Sequence, residues 1–470
     1  MGVSAVHAGH RTETTRAYHP TVANAAPSVG PAPSARGLAA MTPSGRAIVP
    51  TSWALYDFAN TIFSYAVVSG AIALYLNDEF GRRDGGVLLA VSVALSVGIN
   101  AIVSPILGAL SDRGGRRMPF LLLFTVQCIV ATFFIAAVPP VLGLILFVIA
   151  NFSYQAALIY YDATLRTVSI PESRGRLSGI GTAIGYCGTV AVGLTIFLLD
   201  VPVVDRFRLA AIFFAIFAIP IFVFVRESKP KDEPKLTARD VVQSFGQLLV
   251  SIRHARQVPG LGRFLVGRFF YSDAVNTVIV VMSVVTTEAL GVSDRDANTI
   301  LLGLTLVAIA MSFAWGWLSD RIGPKRTLIT VLSSWAVGLV LGGIAIGLGP
   351  AGLVPFLVAG AILGSGLGGV TVADRVLMLR LSPPERVGEF FGLYGLVGKG
   401  SQVIGTLLYG LILFVFVDRL GIGAYQIAVL SLLVTMFIGM WLIWPVRDDW
   451  AGSVDANDEP VRPILPATSV

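Results

Sequence analysis

GALSDRGGRR at positions 108–117 recurs as GWLSDRIGPKR at positions 316–326. Both segments end an apolar run and share the loop motif G-x-x-x-D-R-x-G, and Pro324 adds one residue to the second copy. Two further matches flank this pair, because DFANT at 57–61 recurs as DAVNT at 273–277, and SIPESRG at 169–175 as SPPERVG at 382–388. Similar segments in the same order at nearly one offset indicate a duplicated unit whose halves run in parallel.

The composition is that of a membrane protein, because 55% of the residues are hydrophobic and only 13% are charged. A spanning helix needs about 20 mostly apolar residues. The sequence predicts twelve spans: 51–76, 87–110, 118–138, 141–165, 177–199, 207–225, 264–287, 297–318, 327–348, 351–379, 389–416 and 422–445. The predicted regions are a disordered tail (1–50), a six-helix half (51–226), a polar linker (227–263), a second half (264–446) and a C-terminal tail (447–470).

Charge placement predicts the orientation of the chain. With the N-terminus inside, the short cytoplasmic loops hold eleven Lys and Arg residues and the outer loops hold six. The linker adds further positive charge on the inner side, so we expect both termini and the linker in the cytoplasm and the protein in the inner or plasma membrane.

Several other functions are disfavoured by the sequence. The basic residues are scattered through loops, which does not favour a nucleic-acid partner. We expect no metal, because His7, His10, His19 and His254 lie in the tail or linker. We also expect no cofactor and no enzymatic activity, since the chain has neither a phosphate-binding loop of Walker type nor a nucleophile with a base beside it.

The paired loop motifs resemble the signature of the major facilitator superfamily. WALYDFAN at 53–60, RGRLSG at 174–179, and EFFGLY at 389–394 followed by Gly398-Lys399 resemble its vacuole-effluxer-like branch, which includes the autophagy-related amino-acid effluxer. The resemblance covers about 51–446 and implies an all-α membrane protein, with twelve transmembrane helices in two pseudo-symmetric six-helix halves.

The resemblance also implies a role for the two loop motifs. Each motif aspartate would meet a helix N-terminus of the other half and a nearby arginine, and so act as a latch for one conformation. The alternative is an ordinary polar turn with positive charge on the inner side. The candidate latch residues are Gly108, Asp112, Arg113, Gly115, Arg116, Gly316, Asp320, Arg321 and Gly323.

Charged groups inside the predicted spans are the strongest functional candidates, because a charge in hydrocarbon must be paired or hydrated. One acid falls on each of the first, fourth, seventh and tenth spans, and in the first and fourth spans polar side chains recur at helical spacing beside it. The stripes indicate a substrate or coupling site, or else hydrogen bonds between helices. The substrate and coupling candidates are Asp57, Asn60, Gln155, Asp273, Asn276 and Lys399.

A second group of charges lies near the predicted cytoplasmic ends of the fourth and tenth spans: Asp162, Arg166, Asp374 and Arg375. These residues could form a salt-bridge gate or take part in proton coupling, and both roles can coexist. Lys399 lies deep in its span. It could bind an anionic group of a substrate, or form a structural pair with Asp57 or Asp273.

We therefore expect a secondary active transporter that moves small organic solutes by alternating access. Amino-acid efflux and proton-coupled transport are both open, and the expected partners are a small-molecule substrate, protons and the lipid bilayer. We expect a monomer. The alternative from another class is a receptor or scaffold that kept the fold and lost transport.

Reporter fusions test the predicted orientation. Fusions at Arg239 and at the C-terminus should both give a cytoplasmic signal, because the opposite arrangement would move the eleven short-loop positive charges outward. A periplasmic signal at either site would contradict the orientation.

Overall fold

The computed structural model of the chain describes residues 43–227, 247–286 and 290–447. Most of the N-terminal tail, the linker residues 228–246 and the C-terminal tail from residue 448 lie outside this part. The long helices are α1 (Pro43–Phe63), α2 (Ile72–Phe80), α3 (Arg82–Gly114), α4 (Met118–Phe134), α5 (Pro140–Val168), α6 (Arg174–Leu198), α7 (Val203–Phe224), α8 (Gln247–Gln257), α9 (Leu261–Val284), α10 (Asp294–Ile322), α11 (Pro324–Gly347), α12 (Leu353–Leu381), α13 (Val387–Leu420) and α14 (Ile422–Ile443).

Eleven membrane spans of sufficient length and hydropathy occur among the described residues. The first runs from α1 through a π-helical segment, Ser64–Ala71, into α2, and is longer than the predicted 51–76. The predicted seventh span corresponds to α9, which is not among the eleven and carries Arg263, Arg268 and Asp273. The helix count is thus close to the predicted twelve.

Helix packing repeats between the two halves. In the first half α1 packs on α6 and α7, and α4 packs on α5. In the second half α9 packs on α13 and α14, and α11 packs on α12. The halves meet through α3 against α13 and through α6 against α10, so each half contributes one helix to each of two equivalent junctions. This packing agrees with the predicted pseudo-symmetry.

The loop motifs lie at one end of the bundle, which we call the motif end. Gly115 ends α3 with a φ of 64°, a left-handed conformation that glycine adopts without steric cost. Gly323 has a φ of 88° and precedes Pro324, the first residue of α11. A proline is well suited to that position, because the first N–H of a helix has no partner within the helix. The extra residue of the second motif therefore starts the next helix.

The first glycine of each motif allows the halves to touch through their backbones. A Cβ on Gly108 would collide with the carbonyl oxygen of Gly388 at the start of α13. A Cβ on Gly316 would lie 2.7 Å from the carbonyl oxygen of Gly175 and 3.1 Å from the Cα atom of Gly179. Such close backbone approach is typical of helix contacts in membranes.

The linker contains a helix that the sequence did not predict. Helix α8 packs against α3, α9 and α13, and its Ser251 and Ala255 are buried. The two buried residues are four positions apart and thus share one face of the helix, whereas Arg253 and Arg256 are exposed. The end of the linker is therefore part of the packed bundle.

The glycine contact can be tested on one helix. Gly316→Ala should destabilise the junction of α10 and α6 by about 1–3 kcal/mol, because backbone atoms cannot move aside easily for the new Cβ. Thermal unfolding of the purified protein measures the change. Gly303→Ala is the matched control, since it lies in the same helix and an added Cβ would meet no described neighbour within 4 Å there. Equal stability of the two variants would contradict the steric argument.

Candidate functional site

Arg375 of α12 connects the two halves at their centre. Its Nε atom lies 2.9 Å from Oδ1 of Asp162 on α5, and its Nη1 atom lies 3.9 Å from Oδ2 of Asp57 on α1. The guanidinium also lies 5.4 Å from the ring centre of Trp53, which stacks on Tyr161. Since Arg375 is only 5% exposed, these acids are the counter-charges that make its burial tolerable.

Asp374, the residue before Arg375, belongs to a second cluster within the C-terminal half. It forms an ion pair with Arg268 of α9 and accepts hydrogen bonds from the hydroxyls of Tyr271 and Tyr394 at 2.7 and 3.2 Å. The guanidinium of Arg268 stands 3.4 Å from the ring centre of Tyr394. The neighbouring charges of α12 thus have different partners, one across the halves and one within a half.

A cavity of about 200 Å³ lies between the two charge clusters. Helices α3, α5, α9 and α13 supply its walls, so both halves contribute. Its polar and charged lining residues are Asn100, Gln155, Asp162, Arg268, Asn276, Tyr394, Lys399 and Gln402. Gln155, Asn276 and Lys399 were predicted as substrate or coupling residues, and Asp162 as a gate residue.

Three predicted substrate or coupling residues do not line this cavity: Asp57, Asn60 and Asp273. Asp57 lies beside Arg375, and Asn60 is buried on α1. Asp273 lies against α13, where a Cβ on Gly405 would collide with its Oδ1 atom. The sequence placed these residues on polar helix faces, but a polar face of a membrane helix can be directed at a neighbouring helix as well as at a cavity.

Lys399 is the cavity cation that has no carboxylate oxygen within 4 Å among the described residues. It therefore forms no direct ion pair with Asp57 or Asp273, which were its predicted structural partners. Arg268 lines the same cavity but is paired with Asp374. A Cβ on Gly398, next to Lys399, would lie 3.1 Å from Nη2 of Arg268, so Arg268 reaches α13 beside Lys399.

The motif aspartates contact helix N-termini of the opposite half. Asp112 accepts hydrogen bonds from the backbone N–H groups of Gly388 and Glu389 at 2.9 and 2.7 Å. Asp320 accepts from those of Gly175 and Arg176 at 2.7 and 3.0 Å. Free N–H groups and the helix dipole favour a carboxylate at such a position.

The arginines at the motif end are not all where the sequence suggested. Arg117, which was not among the candidates, approaches Asp112 with its Nη2 atom at 3.0 Å. Arg321 lies over the ring of Trp317 at 4.0 Å. Arg113 and Arg116 belong to the same motif, with Arg113 exposed, and Arg166 is half-buried one turn beyond Asp162. The i, i+4 spacing of Asp162 and Arg166 drew attention to α5, and the structure adds Arg375 of α12, whose Nε atom lies 2.9 Å from Asp162.

The described residues contain no group of three His, Cys, Asp or Glu side chains placed to hold a metal ion. The predicted substrate, coupling and gate residues did not include Arg268 or Tyr394. Arg268 stands out in the sequence as a charge inside a predicted span, but it was assigned no role there. Tyr394 gave no comparable signal, since its role depends on the packing of α9 against α13.

Comparisons with known proteins agree with this architecture. Residues 80–453 match the family described as "Vacuole effluxer Atg22 like". The chain is 27% identical to the uncharacterized MFS-type transporter YxiO of Bacillus subtilis, over 87% of this chain and 98% of that protein. Its fold is similar to that of the human organic anion transporter MFSD10, with a TM-score of 0.70 and 16% identity over 86% of this chain and 100% of that one.

A second solved structure with this fold is a bacterial homologue of the iron transporter ferroportin in an outward-facing state. Its TM-score is 0.65 and its identity 15%, over 87% of this chain and 99% of that one. The family match covers most of the chain, and the solved structures share its arrangement of helices. The protein therefore belongs to the vacuole effluxer Atg22-like family and has the major facilitator fold.

Proposed function

We propose that the protein is a secondary active transporter that moves a small organic solute with an anionic group by alternating access. The observation that carries this proposal is Lys399, a cation that lines the central cavity and has no carboxylate oxygen within 4 Å among the described residues. A charge at such depth without a direct ion pair is costly. A substrate carboxylate would supply a close counter-charge.

The cavity chemistry supports a small polar solute. The side-chain amides of Asn100, Gln155, Asn276 and Gln402 can each donate and accept hydrogen bonds. A cavity of about 200 Å³ suits a solute smaller than a typical drug. Asp162 lines the same cavity and could bind a cationic group, so an amino acid fits the set of charges. The effluxer family and the fold shared with an organic anion transporter are consistent with this substrate class.

The contacts between the halves support a state that is closed at the motif end. Backbone approaches and carboxylate contacts join the halves there, at Gly108 with Gly388 and at Asp320 with Gly175. Arg375 adds the ion pair with Asp162 deeper in the bundle. In the orientation predicted from loop charge, this state is closed to the cytoplasm and corresponds to an outward-facing conformation.

Arg375 is our proposed gate residue. To open the motif end, α12 must move away from α5 and α1, and the buried guanidinium must leave Asp162 and Asp57. Protonation of an acid, or a charge on the substrate, could compensate for this loss, which would couple solute or proton binding to the change of state. We propose proton coupling on this basis.

The membrane placement also remains a proposal. We place the protein in the plasma membrane as a monomer with both termini in the cytoplasm, and loop charge supports this orientation.

Exchange of labelled solute by proteoliposomes tests transport itself. Solute binding without exchange would favour the alternative, a receptor or scaffold.

Lys399→Met tests the anionic contact. A panel of amino acids and carboxylates, each compared with its neutral amide, is screened by thermal stabilisation of the purified protein. Carboxylates that stabilise the parent should bind about ten- to a hundredfold more weakly to Lys399→Met, because a hydrogen bond to a charged group is lost. Lys325→Met, at the start of α11 outside the cavity, is the control. Unchanged carboxylate binding would refute the substrate role of Lys399.

Arg375→Met tests the gate. Removal of one partner from a buried ion pair typically costs about 3–5 kcal/mol, so the variant should unfold at a lower temperature. The double variant Arg375→Met with Asp162→Asn should recover part of the loss, whereas Arg326→Met, at an exposed residue, should change the stability little.

Thiol accessibility tests the gate directly. In a background without Cys187, a cysteine is introduced at the cavity residue Leu158. This cysteine should react faster in Arg375→Met than in the parent with a thiol reagent added from the cytoplasmic side. Unchanged reactivity would argue against a gate.

A further inference from the structure

The two junctions at the motif end differ in one charge. At the second junction, where Asp320 meets the start of α6, Arg176 contributes both its backbone N–H and its side chain, with Nε 3.0 Å from the carboxylate. The residue that corresponds to Arg176 in the second half is Glu389, 213 positions later. At the first junction, where Asp112 meets the start of α13, Glu389 donates its backbone N–H at 2.7 Å. Its acidic side chain cannot add the ion pair that Arg176 provides.

The side chain of Glu389 contacts the linker helix instead. Its Oε1 atom lies 3.1 Å from Nδ1 of His254 on α8, and a carboxylate accepts this hydrogen bond. Glu389 is 8% exposed, so the contact is largely shielded from water. Helix α8 is held in place by its packing on α3, α9 and α13, two of which form the first junction.

This contact has an electrostatic consequence for the junction. The backbone N–H of Glu389 donates a hydrogen bond to the Asp112 carboxylate. The carboxylates of Asp112 and Glu389 therefore both lie at the start of α13. Two carboxylates at one helix N-terminus repel each other. A donor on α8 that engages the Glu389 carboxylate satisfies one of them, while Arg117 satisfies the other.

We propose that His254 is a positioning residue of the first junction: it holds the Glu389 side chain and so makes the linker helix a part of the contact that closes the motif end. The linker would thereby influence the balance between the two states. This inference rests on the proposed alternating-access function.

The test measures the separation of the halves at the motif end. Spin labels are attached to cysteines at Glu172 and Glu385, which are exposed and occupy equivalent positions in the two halves, in a background of Cys128→Ala and Cys187→Ser. Double electron–electron resonance on the full chain in nanodiscs then measures the distance between the two labels and gives the populations of the closed and open states.

His254→Phe keeps a ring of similar size but removes the donor. It should shift the closed-to-open ratio about fivefold toward the open state, the equivalent of one lost hydrogen bond. His254→Ala takes its place if the first variant does not fold. Arg253→Ala, an exposed neighbour on α8, is the matched control and should leave the ratio unchanged.

Two further variants separate positioning from a general packing role. Glu389→Arg restores the charge found at Arg176, so in the His254→Phe background it should return the ratio toward that of the parent. Loss of helix packing alone would not be rescued in this way. In the Asp112→Asn background, His254→Phe should have little further effect, because both changes act on the same junction.

The outcomes distinguish the two proposals. If Asp112→Asn shifts the ratio but His254→Phe and His254→Ala do not, the linker inference is wrong and alternating access stands. If the distance distribution has a single component that no variant moves, including Asp112→Asn, alternating access itself fails. Failure of Glu389→Arg to rescue His254→Phe would assign His254 a packing role and overturn the positioning proposal.

Discussion

A charge buried within the bilayer requires an opposite charge nearby, and the centre of this protein is arranged around that constraint. Asp374 and Arg375 are consecutive on α12, so their side chains point in different directions around the helix. Asp374 meets Arg268 in its own half, and Arg375 meets Asp162 in the other. One helix therefore stabilises its own half and also connects the two halves, and the central cavity lies between these ion pairs.

The duplicated architecture could be predicted because its signals are local in sequence. The loop motif contains its own conformational requirements, since Gly115 and Gly323 adopt left-handed conformations and Gly108 and Gly316 permit backbone contact. Hydropathy marks most spans for a similarly local reason. Helix α9 was predicted as the span 264–287 although Arg268 and Asp273 interrupt its apolar run. These two charges make α9 functionally informative, because a charge within a span must be paired or hydrated.

The partners of the charged residues could not be predicted from one sequence, because they depend on how helices rotate and pack. The pattern on α1 identified Asp57 as important, but its position beside Arg375 depends on α12, more than 300 residues later. Asp273 has the same place in the repeat as Asp57, and each lies against a glycine of the equivalent helix, Gly405 of α13 and Gly185 of α6. Among the described residues, however, only Asp57 of the two has an arginine within 4 Å. Equivalent positions in a duplicated chain thus need not keep equivalent surroundings.

The same divergence distinguishes the two junctions at the motif end. The fold duplicates an aspartate at a helix N-terminus, a contact that backbone N–H groups can satisfy whatever the side chains are. The side chain at the next position was therefore free to differ, and it is Arg176 in one copy and Glu389 in the other. Arg176 makes the second junction self-contained. Glu389 takes its donor from outside the repeat, from His254 of the linker helix, so the asymmetry of the linker becomes an asymmetry of the junctions.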